Sequence, residues 1–294
     1  MKRSKIFTAL VAMAASTGAM AQGQDSTPGE RNLLVLSELL PGIYSSANQA
    51  LFDARRGIVE AERHGREEFQ IERLEAPHSF SLVGTFAGKE SSYQMSLVPG
   101  PTDQELTAKL ANGEGATIED CEIRFKRRAE HYDGAAVGSG CDSLGFTGMQ
   151  VSRKEVWVEV ASKAEPYWYE RAREFHCYAD LPGVSGGRDI PFERYDNITL
   201  HDKGKTHWFT TRGEEKREIG LTLQAITWHV LNENNGNFNR NSLVLYASER
   251  MPDGSTKSHP YTFTEPSAER LGYNLRWMLV NCAITPRDKA RPEM

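Results

Sequence analysis

Residues 80–165 alternate between apolar and polar side chains, and this period of two most constrains the fold. In CEIRFKRR, Ile123 and Phe125 fall on one face of an extended chain, while Glu122 and Arg124 fall on the other. The alternation recurs in short runs that are separated by turns rich in glycine and proline. Such runs are typical of antiparallel strands with one buried face. The segment therefore predicts a β-sandwich or a β-barrel.

Helical spacing is found near the start of the chain. Residues 33–40 and 47–64 repeat apolar side chains at roughly helical intervals, which predicts two helices. No membrane span is expected, because no stretch after the first 21 residues approaches about 18 apolar residues in a row.

Residues 181–294 return to the period of two and predict a second β-rich region. Asn235-Gly236 and Asp253-Gly254 indicate hairpin turns. The glycine-rich stretch Gly183 to Asn197 has no clear period and is the best candidate for a boundary. We predict a mainly β chain, with a barrel domain over 33–180 followed by the region 181–294.

The first 21 residues have the composition of a secretory signal peptide. Three basic residues precede an apolar run, and Ala19-Met20-Ala21 supplies the small residues of a cleavage site. We therefore expect a Sec signal, cleavage after Ala21 and a periplasmic location. Residues 22–32 are polar and predict a disordered lead-in.

Cleavage would leave an acidic protein. Removing three basic residues reduces the 35 lysines and arginines to 32 against 40 acidic residues, so the net charge falls from −5 to −8. The one basic stretch, Arg124 to His131, is explained by a solvated strand edge. Binding to nucleic acid is not expected, because phosphate recognition requires a basic face.

The mature chain keeps four cysteines: Cys121, Cys141, Cys177 and Cys282. An even number in an oxidising compartment indicates two disulfides, and every pairing is open at this point. The cysteines form neither a C-x-x-C pair nor a cluster with histidine, so no metal site is expected.

The motifs assign no catalytic residue. Gly183 to Gly187 matches G-x-S-x-G, but Pro182 precedes it and no helix is indicated after it, so a loop is favoured over a nucleophile elbow. His201 and His207 flank a turn and are expected to face each other across a hairpin, an arrangement that strands often show without metal. No organic cofactor is indicated.

Aromatic residues are frequent in the first half of the chain and allow two interpretations. Inward-facing rings such as Tyr44 and Tyr93 would line a cavity for one flat ligand, or the rings would fill the core. Residue chemistry alone favours the filled core.

Two stretches resemble a known family, the CpcT/CpeT family of chromophore lyases. LLPGIYSSANQA (39–50) has the family's Gly-x-aromatic-Ser-Asn-x-x-Gln-Ala order on Gly42, Tyr44, Ser45, Asn48, Gln49 and Ala50, with Ser46 at the usual asparagine. DCEIRFKRRAEHYDGAAVGSGC (120–141) resembles its cysteine, strand and Gly-x-Gly-Cys order. KEVWVEV and PYWYERAREFHCY resemble the strands that follow. The resemblance extends over residues 36–180.

The resemblance implies a calycin/lipocalin-like antiparallel barrel with an N-terminal helix. Members bind a bilin, an open-chain tetrapyrrole, and help to attach it through a thioether to a cysteine of an acceptor protein. No metal or organic cofactor takes part. The resemblance also implies a Cys121–Cys141 disulfide, which leaves Cys177 and Cys282 to pair with each other.

The same resemblance nominates five ligand-binding residues: Tyr44, Ser45, Asn48, Gln49 and Tyr93. We expect Ser45 and Asn48 to cap or orient a helix at the barrel mouth, with Tyr44 and Gln49 pointing toward the cavity. The alternative is that these residues only fix the helix against the end of the barrel.

The chain departs from the family in three ways. Ser92-Tyr93-Gln94-Met95 replaces a Tyr-Arg-x-Arg strand suited to pairing with bilin propionates. Export is expected, and residues 181–294 have no counterpart in the short lyases. The alternative function is therefore a non-catalytic periplasmic binder of a small apolar ligand. A third hypothesis, an envelope protein with a filled barrel, predicts no cavity of about 300 Å³ or more. Exposed strand edges favour a homodimer.

Overall fold

A computed structural model describes residues 27–182, 192–212, 216–232, 234 and 236–284. The predicted signal peptide, the start of the lead-in and the G-x-S-x-G motif lie outside these residues. The helices are α1 (Pro28–Leu39) and α2 (Ala47–Arg55). The first ten strands are β1 (Gly42–Ser45), β2 (Glu68–Arg73), β3 (Ser79–Phe86), β4 (Lys89–Pro99), β5 (Glu105–Asn112), β6 (Thr117–Arg127), β7 (His131–Val137), β8 (Gly148–Ser152), β9 (Glu155–Glu159) and β10 (Tyr167–Arg171). The remaining strands are β11 (Glu174–Pro182), β12 (Phe192–His201), β13 (Lys203–Thr210), β14 (Glu218–Asn232), β15 (Gly236–Arg250), β16 (Thr256–Ser258), β17 (Thr262–Thr264), β18 (Arg270–Asn274) and β19 (Leu279–Ile284).

Strands β1 to β10 form a closed antiparallel barrel. From β2 to β10, each strand pairs with the next one in the sequence, and β1 closes the barrel between β2 and β10. Tyr44 of β1 is opposite Phe69 on one side and Arg171 on the other. The predicted mainly β fold, with a barrel, an N-terminal helix and a second β-rich unit, is confirmed.

Side chains fill the interior of the barrel. Tyr44, Phe69, Phe86 and Tyr169 are at most 1% exposed. The Phe69 ring lies 4.9 to 5.1 Å, between ring centroids, from the rings of the other three. A small enclosed cavity inside the barrel measures about 10 Å³, which is room for about one water molecule. The packed rings and the small size of this cavity match the filled-core interpretation.

Helix α1 begins at Pro28, earlier than the predicted residue 33. Thr27 Oγ1 accepts a hydrogen bond from the Glu30 amide at 3.2 Å, and Glu30 Oε2 accepts one from the Thr27 amide at 2.8 Å. This reciprocal capping box, with proline at the first helical position, starts a helix within polar sequence. Residues 28–32, predicted to be disordered, are therefore helical.

Helix α2 ends at Arg55, well before the predicted residue 64. Gly57 follows in a left-handed conformation, with φ at 74°. Glycine adopts this conformation without steric cost and commonly ends helices. Beyond it the chain forms a single 3₁₀ turn at Glu60–Glu62.

Strands β11 to β19 form two sheets around a second core. One sheet has the order β12-β11-β19-β18, and the other has the order β13-β14-β15-β16 with β17 on β15. Their buried faces share one apolar cluster that includes Phe175, Leu221, Leu245 and Val280. Two sheets that enclose one core form a β-sandwich.

The turns of the sandwich agree with the predicted hairpins, but its first strand begins before the predicted end of the barrel domain. Strands β14 and β15 pair as far as Asn232 and Gly236, in agreement with a hairpin there, although Asn235 itself lies outside the described residues. The hairpin predicted at Asp253-Gly254 connects β15 to β16. Strand β11 pairs with β12 from Glu174 and with β19 from Phe175, so the chain leaves the barrel before the predicted boundary at 180. The alternation of apolar and polar residues continues from β10 into β11, although the two strands belong to different sheets. The alternation therefore could not mark the end of the barrel.

The two histidines of the predicted hairpin do not face each other. Strands β12 and β13 belong to different sheets, and His207 is opposite Leu221 of β14. In the described part of the chain, no three His, Cys, Asp or Glu residues are grouped in a way that could hold a metal ion. No helix among the described residues has the length and apolar character needed to cross a membrane.

Both disulfides that the resemblance implied are present. Cys121–Cys141 joins β6 to a 3₁₀ turn at Ser139–Leu144. Cys177–Cys282 joins β11 to β19 at directly opposite positions.

Replacing Cys177 and Cys282 with serine is expected to destabilise the protein more than replacing Cys121 and Cys141. The first pair is 105 residues apart and the second pair 20, which corresponds to about 5 and about 3 kcal/mol of loop-closure entropy. Urea unfolding of the two double variants, followed by circular dichroism, measures the difference. Equal losses of unfolding free energy would contradict the entropic account.

Candidate functional site

A cleft of about 720 Å³ lies between the barrel and the sandwich. This volume is within the range of small-molecule sites, about 300–1,000 Å³. The barrel contributes α2, β10 and the turn between β8 and β9, and the sandwich contributes parts of β13, β14 and β15. The residues that line the cleft are Asn48, Arg153, Lys154, Glu155, Glu170, Arg171, Ala172, Arg173, Asp202, Lys203, Ala225, Ile226, Thr227, Asn241, Ser242, Pro266 and Ile284.

Backbone hydrogen bonds fix the segment that crosses the cleft from barrel to sandwich. The Arg171 amide donates to Lys154 O at 2.7 Å, and the Ala172 amide donates to Ile43 O at 2.7 Å. The Arg173 amide then donates to Asp202 Oδ1 at 3.0 Å. The wall formed by 171–173 is therefore held from both units.

The cleft carries five basic and three acidic side chains, an excess of two positive charges, although the whole chain has a net charge of −5. Arg173 Nε donates to Asp202 Oδ2 at 2.8 Å, and Lys203 Nζ donates to Glu170 Oε2 at 2.7 Å. Among the described residues, Arg171 and Lys154 have no carboxylate partner. An excess of one charge in a cleft raises the local concentration of the opposite charge, so this cleft attracts anions.

Arg171 rests on residues of the first resemblance motif. Its guanidinium lies 5.4 Å from the centre of the Tyr44 ring, a favourable cation–π contact. A Cβ atom on Gly42 would lie 2.8 Å from Arg171 Nε, so a glycine makes room for the guanidinium. Arg171 Nη2 is buried without a hydrogen-bond partner.

Glu155 brings two tryptophans to the edge of the cleft. Its Oε1 accepts a hydrogen bond from Trp157 Nε1 at 2.9 Å, and its Oε2 accepts one from Trp168 Nε1 at 2.8 Å. The two indole rings stack at a centroid distance of 5.9 Å. Glu155 itself lines the cleft, so each indole lies one side chain away from it.

Three of the predicted site residues lie around β1 and the start of α2. Tyr44 is fully buried, and its hydroxyl donates to Leu39 O at 3.0 Å and Leu40 O at 2.9 Å. Ser45 Oγ accepts from the Ala47 amide at 3.3 Å. Asn48 Nδ2 donates to Glu170 Oε2 at 2.6 Å, and Asn48 lines the cleft.

The remaining two predicted residues lie apart. Gln49 Nε2 donates to Pro166 O at 2.9 Å, and its Oε1 accepts from the Trp168 amide at 2.8 Å. Its amide thus fixes α2 along the free edge of β10. Tyr93 lines the small cavity inside the barrel. These contacts match the helix-fixing alternative for Tyr44 and Gln49, while ligand binding by the five residues stays a prediction.

A buried acid–histidine pair beside α2 is already fully engaged. Asp53 Oδ2 lies 2.7 Å from His64 Nδ1, and Glu165 O lies 3.1 Å from His64 Nε2. Burial alone would raise the pKa of Asp53, but hydrogen bonds from the His64 backbone and ring outweigh it and lower the pKa. Since both ring nitrogens have partners within the protein, the pair has no nitrogen left to act as a general base.

A second buried network ties the same side of the barrel together. Glu67 Oε2 accepts from the Tyr169 hydroxyl at 2.5 Å, and Glu67 Oε1 accepts from the Gly88 amide at 3.1 Å. Burial, together with Glu67, raises the pKa of Tyr167 to about 12. The tyrosines stay neutral at physiological pH and serve as hydrogen-bond donors to the buried carboxylate.

Comparison with known proteins adds one structural likeness. No family model matches the chain, and no curated protein matches it. The chain is similar to the solved structure of the T-type phycobiliprotein lyase CpeT from the Prochlorococcus phage P-HM1, with 10% sequence identity over 47% of this chain and 96% of that one. The TM-score is 0.35. Because this TM-score is low, the barrel is assigned from the strand pairing described above and not from the similarity.

The basic residues of the cleft are not among the site residues predicted from the sequence. In PYWYERAREF, Arg171 and Arg173 alternate with Ala172 and share one face of an extended chain. That spacing was a usable signal for a basic patch. Nothing in the sequence showed that this face meets Lys203, which lies on a strand of the other unit.

Replacing Gln49 with alanine is expected to lower the free energy of unfolding by about 1–3 kcal/mol. The Pro166 carbonyl and the Trp168 amide would each lose a partner close to a buried helix end. Thermal or urea denaturation measures the loss. The matched control is Gln70→Ala, since Gln70 is exposed and bonds to Glu72 on the same strand. Equal stability of the two variants would contradict the helix-fixing role.

Proposed function

We propose that the protein is an exported, non-catalytic binding protein that holds a small amphipathic anion in the cleft between barrel and sandwich. The observation that carries the proposal is the excess of basic side chains in a cleft of about 720 Å³, in a chain with a net charge of −5. The packed barrel core supports the same conclusion, since the cavity found among its apolar side chains measures only about 10 Å³.

Two cations are available to the anionic part of the ligand. Arg171 and Lys154 line the cleft without a carboxylate partner in the described part of the chain. A guanidinium presents paired N–H groups that match a carboxylate, and such charge-assisted bonds are roughly twice as strong as neutral ones. Tyr44 already orients the Arg171 guanidinium, so little freedom is lost on binding.

The apolar part of the ligand meets aliphatic side chains. Ala172, Ala225, Ile226, Pro266 and Ile284 line the cleft together with the cations. A molecule that combines carboxylates with flat apolar rings suits this surface. An open-chain tetrapyrrole has this chemistry, because two propionates extend from a chain of four apolar rings. A bilin is therefore the proposed ligand, and the site is the cleft and not the interior of the barrel.

A second candidate function is bilin lyase activity toward an acceptor protein. It is favoured by the resemblance of residues 36–180 to the CpcT/CpeT family, in which bilin attachment is the shared activity. The four cysteines of this chain are bonded in two disulfides. The thiol of a thioether would therefore have to come from a cysteine of the acceptor.

Biliverdin is expected to bind the oxidised mature protein saturably and to quench the fluorescence of Trp157 and Trp168. It should bind about tenfold more weakly to the Arg171→Met variant, because one charge-assisted carboxylate contact is lost. Lys154→Met should also weaken binding, and because this side chain is exposed, its replacement leaves the fold intact. Since both contacts are ionic, rising salt should lower the affinity.

Arg124→Met is the matched control for this experiment. Arg124 is 54% exposed on β6, pairs with Glu122 and does not line the cleft. Equal affinities of the Arg171, Lys154 and Arg124 variants would reject the cleft as the site. Absence of saturable binding would reject the tetrapyrrole. Bilin that stays attached to an added acceptor protein after denaturation would support the lyase candidate instead.

A further inference from the structure

A second pocket, of about 570 Å³, lies on the outer surface of the barrel over β7, β8 and β9. His131 of β7, Gln150 of β8 and Trp157 of β9 are among the residues that line it. Their strand neighbours Val151 and Val156 are buried in the barrel core, because successive side chains of a strand point to opposite faces. The pocket therefore lies outside the core, and its volume is within the range of small-molecule sites.

The indole of Trp157 forms one wall of this pocket and is held from two directions. Its Nε1 donates a hydrogen bond to Glu155 Oε1 at 2.9 Å. The Trp168 ring stacks on it at a centroid distance of 5.9 Å, and the Phe52 ring of α2 stacks on Trp168 in turn at 6.3 Å. The Trp157 ring is thus fixed before a ligand arrives, so little side-chain entropy is lost on binding.

Trp168 covers only one face of the Trp157 indole. Trp168, Trp157 and Gln150 are directly opposite one another on β10, β9 and β8, and form one row across the outer surface. The pocket is lined by Trp157 and Gln150 but not by Trp168, so it borders the second face of the Trp157 indole. The face of an aromatic ring is electron-rich and attracts C–H groups that carry a partial positive charge.

The formal charges around this pocket cancel. Its lining has two acidic side chains, Glu130 and Glu155, and two basic ones, Arg153 and Lys154, with histidine counted as neutral. The cleft, in contrast, has an excess of two positive charges. Mixed donors and acceptors without a net charge match a neutral ligand that carries many hydroxyl groups.

Gln150 offers a side-chain amide to such a ligand. Gln150 is exposed, and its side chain makes no hydrogen bond to any of the described residues. An amide supplies two donors and one acceptor oxygen. A fixed aromatic face beside a free amide suits a ring that has an apolar face and a rim of hydroxyl groups.

We propose that this pocket binds a neutral saccharide, with one pyranose ring stacked on the Trp157 indole and its hydroxyl groups bonded to Gln150. A β-linked glucose unit has the required shape, because its hydroxyl groups are equatorial and its ring C–H groups form a flat apolar face. The turn between β8 and β9 contributes to both this pocket and the cleft. The saccharide site needs neither a bilin nor Arg171, so it does not depend on the function proposed for the cleft.

A titration of the oxidised mature protein with cellobiose, in the absence of any bilin, tests the proposal by NMR. The indole N–H signal of Trp157 and the side-chain amide signals of Gln150 should shift saturably. The indole signal of Trp208, which lies on β13 of the sandwich, should not shift. Because the ligand is uncharged, added salt should leave its affinity unchanged, in contrast to an anion bound in the cleft.

Sorbitol is the matched control ligand, since it has hydroxyl groups but no pyranose ring, and it should cause no saturable shift. The Trp157→Leu variant should bind cellobiose about tenfold more weakly, measured from the backbone amide signals of β8. Trp208→Leu replaces a half-buried tryptophan far from the pocket and should bind as the wild type does. Gln150→Ala should weaken binding about threefold, and because Gln150 is exposed, its replacement leaves the fold intact.

The proposal is overturned if cellobiose causes no saturable shift at Trp157, or if sorbitol causes the same shift. A folded Trp157→Leu variant that binds cellobiose as tightly as the wild type would also reject the site. If that variant does not fold, wild-type affinity of Gln150→Ala has the same meaning. An equal loss of affinity in Trp208→Leu would place the binding elsewhere.

Discussion

The four residues of β1 hold the first unit together, because they close the barrel between β2 and β10. Tyr44 of this strand has three roles at once. Its hydroxyl holds the end of α1, its ring packs on Phe69, and the same ring supports the guanidinium of Arg171. Since β1 is so short, α2 takes over beside β10, where the amide of Gln49 replaces the missing strand contacts.

A filled barrel changes where binding can take place. Phe69, Phe86 and Tyr169 are buried in the barrel interior, so this interior is a packed core. The accessible polar chemistry lies instead where β10 leaves the barrel for the sandwich. There the strand that completes the barrel also supplies Arg171, and the sandwich supplies Lys203 opposite Glu170. The second unit therefore creates the cleft by facing the end of β10.

The two disulfides act on different scales. Cys177–Cys282 ties the first strand of the sandwich to its last, and so closes most of the second unit into one loop. Cys121–Cys141 fixes one short turn over one end of the barrel. A disulfide over a long loop mainly restricts the unfolded chain. The shorter loop closed by Cys121–Cys141 restricts the unfolded chain less.

The sequence by itself determined the elements with a local cause. The period of two in stretches such as Glu122 to Phe125 predicted the strands, and Asn235-Gly236 and Asp253-Gly254 predicted two hairpins. The Thr27-Pro28-Gly29-Glu30 cap was also readable, although its polar residues suggested disorder instead. The resemblance motifs implied the barrel and the Cys121–Cys141 pairing, and the two remaining cysteines form the second disulfide.

Only the tertiary structure decided which strands meet and what space remains between them. Alternation shows that a side chain is buried but not which sheet buries it. The sequence therefore could not predict that the chain passes from the barrel to the sandwich near Arg173, or that His201 and His207 lie in different sheets. The free volume in a core is the small difference between two large volumes, that of the space enclosed by the strands and that of the side chains that fill it. The cleft depends on Arg171 and Lys203, which line it from separate sheets. Arg171 is placed by the pairing of β10 with β1, more than a hundred residues earlier in the chain, and Lys203 by the pairing of β13 with β14.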